Sequence, residues 1–149
     1  MCCREPARKH TFKSELSIKD IVNQDGTFEP LPRVEVLPSY YDAKPDVIDA
    51  LVNLGVQGLV IHGLPPSGST FRDQAPRLTE LAEGGMPIVQ TTRNAASYDA
   101  RVRARPPFIG GDDLPSHKAR ILLHLAMKKT EHLTGTARRD KIQHLFNTH

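Results

Sequence analysis

The chain has no tryptophan, and aromatic residues make up only 5% of it. Its basic residues cluster in three places: Met1 to Lys13, Arg93 to Arg105, and the last helical stretch. No aromatic side chains are interleaved with them as a base-stacking surface requires. Nucleic acid is therefore excluded as an expected partner, and the net charge of +3 reads as solvated faces and tails. Long apolar runs are also missing. Nothing approaches the roughly eighteen apolar residues that cross a bilayer, so no membrane partner is expected. Met1 to Thr11 is polar and basic and lacks the apolar stretch of a signal peptide. A cytoplasmic location is the expectation for this chain as given. Cysteine is limited to Cys2 and Cys3. Adjacent cysteines rarely bridge without strain, and they build neither a disulfide framework nor a CxxC metal site. No metal and no cofactor are expected.

What is present suits one soluble domain: 149 residues, 38% apolar and 25% charged. Residues 1–30 read as a linker. They carry Pro6, Pro30, the turn signal Asp25-Gly26 and little apolar periodicity. Within them a short amphipathic piece, Leu16, Ile18, Ile21 and Val22, is suited to dock on something. Residues 31–149 form the domain.

From Leu31 onward, short apolar runs alternate with helical spacing. Val34–Leu37, Leu59–His62, Ile88–Thr91 and Phe108–Ile109 are the predicted strands. Val47, Ile48, Leu51, Val52 and Leu54 lie on one helix face, with Pro45 at its start and Gly55 at its stop. A second helix is predicted over Phe71–Glu83, kinked or delayed by Pro76 and ended by Gly84-Gly85. A third runs from Pro115 or Ser116 to Lys129, with Ile121, Leu122, Leu125 and Ala126 facing inward. A last one covers Arg138–Phe146 and presents Ile142, Leu145 and Phe146. Short continuous apolar strands between amphipathic helices argue for strands buried on both faces. The fold class is α/β: a small layered domain with a four-stranded, mainly parallel sheet flanked by helices. Ligands are then expected at the carboxyl ends of the strands, in the loops 38–44, 63–70, 92–107 and 110–115.

Five segments in register resemble the type II (bacterial-type) L-asparaginase, or glutaminase-asparaginase, family. Pro6-Ala7-Arg8-Lys9-His10-Thr11 is similar to the stretch that follows the family's N-terminal domain. Leu31-Pro32-Arg33-Val34 resembles the entry to the first strand of its C-terminal domain, and Gly55-Val56-Gln57-Gly58-Leu59-Val60 the turn into the second. Gly111-Asp112-Asp113-Leu114, followed by Lys118-Ala119-Arg120-Ile121-Leu122-Leu123, resembles a "GdL…KAR(i/v)LL" helix start. Ile142-Gln143-His144-Leu145-Phe146 resembles the family's closing "I(q)xxF".

The resemblance implies hydrolysis of L-asparagine to aspartate and ammonia. In the family a threonine hydroxyl attacks the amide carbon. A second threonine, a lysine and an aspartate move protons, and backbone donors hold the oxyanion. Those groups belong to the N-terminal domain, on glycine-flanked threonine motifs. This sequence has no TGGT-like stretch and no Gly-Thr-Asp-Thr stretch, so no catalytic residue is assigned.

The family's C-terminal domain supplies a wall to a neighbouring subunit's pocket. The resemblance assigns its substrate-contacting position, an asparagine after the first strand, to Asp42. Read as a residue alone, Asp42 is first a surface turn residue before a helix, since aspartate is common in turns. The family's second contact, an acid after the third strand, falls in a loop whose acid is Asp99, amid Arg101, Arg103 and Arg105.

Other groups have plain alternatives. His62 to Thr70 is glycine-containing, but it lacks GxGxxG order, and two prolines remove N–H donors. His117 and His124 lie seven apart rather than at the i, i+4 spacing of zinc helices, and read as surface histidines. Lys118 and Arg120 suit pairing with Asp112 or Asp113. The expected partners are a second copy or full-length asparaginase subunits, because Leu16–Val22 and Ile142–Phe146 have apolar faces and few predicted partners within the chain. The alternative to a partial enzyme is a non-catalytic interaction module.

Overall fold

The computed structural model describes residues 15–23, 25–27, 30–93 and 102–148. Cys2, Cys3, the stretch Pro6–Thr11, Asp99 and Arg101 lie outside them. Four strands, β1 (Val34–Pro38), β2 (Gly58–Gly63), β3 (Ile88–Thr92) and β4 (Ile109–Gly110), form one sheet in the order β1-β2-β3-β4. Every neighbouring pair is parallel, with Val34 opposite Gly58, Leu59 opposite Ile88 and Val89 opposite Ile109. The helices are α1 (Asp46–Asn53), α2 (Ala75–Glu83), α3 (Ser116–Lys129) and α4 (Gly135–Asn147).

Period-two alternation sorts the strand residues into two cores. Leu37, Leu59, Ile61 and Ile88 pack with Ile48 of α1 and Leu78 of α2. Val34, Val60, Val89 and Ile109 pack on the other face with Leu123 and Met127 of α3 and Ile142, Leu145 and Phe146 of α4. Burial on both faces is why the strands read as continuous apolar runs.

Local chemistry stops α1 and α2 alike. Gly55 takes φ +80, its N–H donates to Val52 O at 2.9 Å, and Val56 N–H donates to Leu51 O at 3.2 Å. Gly85 repeats this at φ +95, with Gly85 N–H to Ala82 O at 3.0 Å and Met86 N–H to Leu81 O at 3.0 Å. Both are Schellman stops, whose left-handed residue is cheap only for glycine. Pro76 delays α2, which begins at Ala75 rather than Phe71. In the first turn its missing N–H costs no bond.

Two expectations are corrected. Of the residues expected to face inward on α3, Ala126 is buried and Leu122 packs against the core, but the face is centred on Ala119, Leu123 and Met127, while Ile121 is 59% exposed. The run Ile121 to Met127 is apolar nearly all round, so spacing does not set its rotation. Small Ala119 and Ala126 do, by letting the helix approach the sheet so closely that a Cβ on Gly58 would lie 2.7 Å from Met127 Sδ. Second, Leu16–Val22 and Ile142–Phe146 do not lack partners within the chain. Ile142, Leu145 and Phe146 are buried, Leu16 packs against their cluster, and Ile21, on a 3-10 turn that contacts α3, is buried.

Candidate functional site

The carboxyl edge of β1 turns at Tyr40 to Ala43, where Ala43 N–H donates to Tyr40 O at 3.2 Å. Asp42 holds the third position with φ 64. A type II turn needs a left-handed residue there, and aspartate is one of the few non-glycine residues that accept it. The turn puts the Asp42 carboxylate at the rim, in solvent.

Asp42 does not stand alone. Lys44 Nζ donates to Asp42 Oδ1 at 2.5 Å and to Asp73 Oδ2 at 3.1 Å. One ammonium thus ties the loop after β1 to the loop after β2. The Asp42 and Asp73 carboxylates hold the Lys44 pKa above the ordinary lysine value, chiefly through these hydrogen bonds. Beneath lies a buried polar link between the same loops. Ser39 Oγ–H donates to Gln74 Oε1 at 3.0 Å and accepts from Phe71 N–H at 2.7 Å. Tyr41, 86% exposed, meets Phe71 edge-on at 5.4 Å, and Arg72 lies over the Phe71 ring at 5.9 Å. The rim is therefore aromatic and charged, on a scaffold that fixes its two loops together.

The loop after β2 folds on itself rather than opening its amides. Gly68 N–H donates to Leu64 O at 2.9 Å, and Leu64 N–H to Ser69 O at 2.8 Å. At the end of β2, His62 Nδ1 lies 3.0 Å from Ser116 Oγ at the start of α3. Burial, then the Arg93 charge, pushes the His62 pKa down. Sequence spacing brings neither this pair nor Ser39–Gln74 to notice, because only the sheet places their segments side by side.

The two helix histidines are not brought together. His117 is exposed, while His124 donates Nδ1–H to Pro32 O at 2.8 Å. Burial first of all lowers the His124 pKa, against that hydrogen bond. Arg120 donates Nε–H to Val34 O at 2.8 Å, which caps the outer edge of β1. Among the described residues no group of three His, Cys, Asp or Glu side chains converges, and no helix is long and apolar enough to cross a membrane. Two hollows, of about 390 and 630 Å³, lie over β4 and between the end of α2 and the start of α4. Asp42 lines neither.

Residues 33–146 match the family model described as the glutaminase/asparaginase C-terminal domain. The chain is 32% identical over 133 residues to a glutaminase-asparaginase of Pseudomonas fluorescens biotype A, which covers 86% of this chain and 34% of that protein. It is 31% identical over 148 residues to L-asparaginase 2 of Escherichia coli (strain K12), covering 97% of this chain and 38% of that protein. The crystal structure of a probable cytoplasmic L-asparaginase from Campylobacter jejuni superposes with a TM-score of 0.68 at 31% identity, over 80% of this chain and 37% of that one. The chain thus spans little more than a third of the length of these relatives.

Proposed function

This chain belongs to the glutaminase/asparaginase family through its C-terminal domain, and we propose that it serves as one wall of an asparagine-hydrolysing site whose nucleophile another polypeptide segment supplies. In the complete arrangement the side-chain amide of L-asparagine is cleaved to aspartate and ammonia. The chain by itself does not turn over. The observation that carries this reading is the family match together with the lack of any TGGT-like or Gly-Thr-Asp-Thr stretch in the sequence given. A hydroxyl nucleophile needs an adjacent base and an oxyanion donor set, and the Asp42 rim offers carboxylates, an ammonium and aromatic rings instead.

Asp42 is the substrate-contacting residue of that wall, reaching a pocket of a neighbouring subunit. Its support is position and exposure at the tip of the turn. Lys44 tempers its role. A carboxylate already shared with an ammonium attracts a substrate ammonium less strongly than a free one does. The wall therefore orients substrate rather than supplying most of its binding.

Purified chain is expected to release no ammonia from L-asparagine or L-glutamine above background. Robust turnover by the chain alone overturns the proposal. A second reading, a non-catalytic module that associates with asparaginase subunits or with itself, draws support from Tyr41 at 86% exposure. Sedimentation of the chain, alone and mixed with a full-length family member, separates the two. A stable mixed complex without activity favours the module.

A further inference from the structure

The larger of the two hollows lies between two helix ends, the last turn of α2 and the first turn of α4. It holds about 630 Å³, within the size range of small-molecule sites. The two ends are unlike. The α2 end is closed by its own glycine stop: Gly84 N–H donates to Glu80 O at 2.9 Å, Gly85 N–H to Ala82 O at 3.0 Å and Met86 N–H to Leu81 O at 3.0 Å. The α4 end is open. Thr134 makes no side-chain cap and the first turn holds no acid. The Gly135, Thr136 and Ala137 amides have no acceptor among the described residues. Such a helix start carries partial positive charge.

A second observation points the same way. Among the described residues, the buried side-chain nitrogen and oxygen atoms without a hydrogen-bond partner are Arg138 Nε and Arg139 Nε. Both arginines line this hollow. Their outer nitrogens are already engaged. Arg138 donates to Met127 O at 3.2 Å, and Arg139 donates to Phe108 O at 3.1 Å and to the Asp140 carboxylate. A buried cationic donor without an acceptor is costly. An oxyanion suits both the unpartnered guanidinium donors and the open amides. The rest of the lining is largely apolar, from Met86, Pro87, Pro106 and Pro107, with the exposed Glu83 at the α2 end.

We propose that this hollow is a binding site for a small organic monocarboxylate. Its carboxylate sits at the first turn of α4 beside Arg138 and Arg139, and its apolar body lies against Met86 and the prolines. Glu83 disfavours a second negative charge on that body. Asp42 lines no part of the hollow, so the site is independent of the rim and of the proposed function.

The test is an NMR titration of the isotope-labelled full chain with benzoate, and in parallel with benzyl alcohol, benzylamine and inorganic phosphate. Benzoate should shift the Gly135 and Thr136 amides and the Arg138 and Arg139 Nε–H signals along one saturating curve, while the Asp42–Lys44 amides stay in place. Benzyl alcohol and benzylamine should leave all of these signals unmoved. Phosphate lacks the apolar body and should bind about tenfold more weakly than benzoate, or worse. Saturation by benzyl alcohol or benzylamine, or by none of the probes, overturns the site. Phosphate binding as tightly as benzoate would mean an adventitious ion only, and overturns it too. Thr136→Asp supplies a carboxylate to the first turn of α4, where it favours the helix. Its melting temperature should hold or rise while benzoate binding weakens about tenfold or more. Undiminished benzoate binding by that folded variant overturns the proposal.

Discussion

The two helical layers of this small sheet are built by different means. The α1–α2 layer is local. Each helix has a glycine stop with the same pair of backbone hydrogen bonds, a short span and one apolar face, and its buried core is made of Leu, Ile and Val side chains. The α3–α4 layer is assembled from distant pieces. Alanines set the approach of α3, Met127 fills against Gly58, Glu15 from before β1 accepts from Lys141 of α4, and side chains cap both sheet edges. Arg120 holds Val34 O on β1, and Gln143 holds both backbone groups of Gly110 on β4. An open strand edge invites pairing with another chain, and here two helix side chains occupy backbone groups that such pairing would use. The rim that carries Asp42 adjoins the local layer, so the proposed function and the most elaborate packing lie on opposite sides of the sheet.

The largest test of this contrast is Phe146→Ala. Phe146 is fully buried in the assembled layer, and such a truncation costs about 3–5 kcal/mol. Urea denaturation should show the loss. Val47→Ala on α1, a side chain 43% exposed, should shift the transition far less. Equal losses would mean the two layers do not differ as described.

Gln143→Ala comes next. Gly110 N–H donates to Gln143 Oε1 at 2.8 Å, and Gln143 Nε2 donates to Gly110 O at 3.2 Å. Losing both bonds should cost about 1–2 kcal/mol and speed exchange of the Gly110 amide. An unchanged amide would show that the cap is idle.

The pH response should come from β2 and α3. His62 and His124 both have folded-state pKa values below the ordinary histidine value of 6.5, chiefly through burial. The unfolded chain therefore binds protons more readily, and the neutral rings contribute stability that is complete above pH 6.5. That stability is lost as pH falls from about 6.5 through the folded-state values. Melting followed from pH 8 to 5 should show the decline, and His124→Gln should flatten part of it. A decline of unchanged size in His124→Gln would assign it elsewhere.

The smallest effect is expected from Lys44→Met. Its ion pairs are exposed, and such pairs contribute little. The melting temperature, followed by calorimetry, should stay where it is. A clear loss of stability would show that the rim is structural rather than available.

Much of the fold was legible because it depends on short-range chemistry. The strands at Val34, Leu59 and Ile88 stand where apolar runs placed them, and Gly55 and Gly84-Gly85 stop their helices as turn chemistry requires. β4 falls one residue later than its apolar run, at Ile109–Gly110. α4 starts three residues earlier than its apolar spacing indicated, at Gly135, because its first turn is polar and carries no periodic signal. Of the site, the position of Asp42 at a turn was legible. Its sharing of Lys44 with Asp73 was not, since those residues are far apart in the chain.

By itself the sequence determined the element order, the α/β class, the parallel sheet and the family, because each follows from periodicity, turn residues or motifs read within a few neighbours. Only the tertiary structure decided which face of α3 is buried, that Leu16 and Phe146 share a core, and that Lys44 joins two loops at the rim. Those outcomes depend on contacts between residues tens of positions apart. Their energies come from how closely two surfaces approach, and no local pattern encodes that distance.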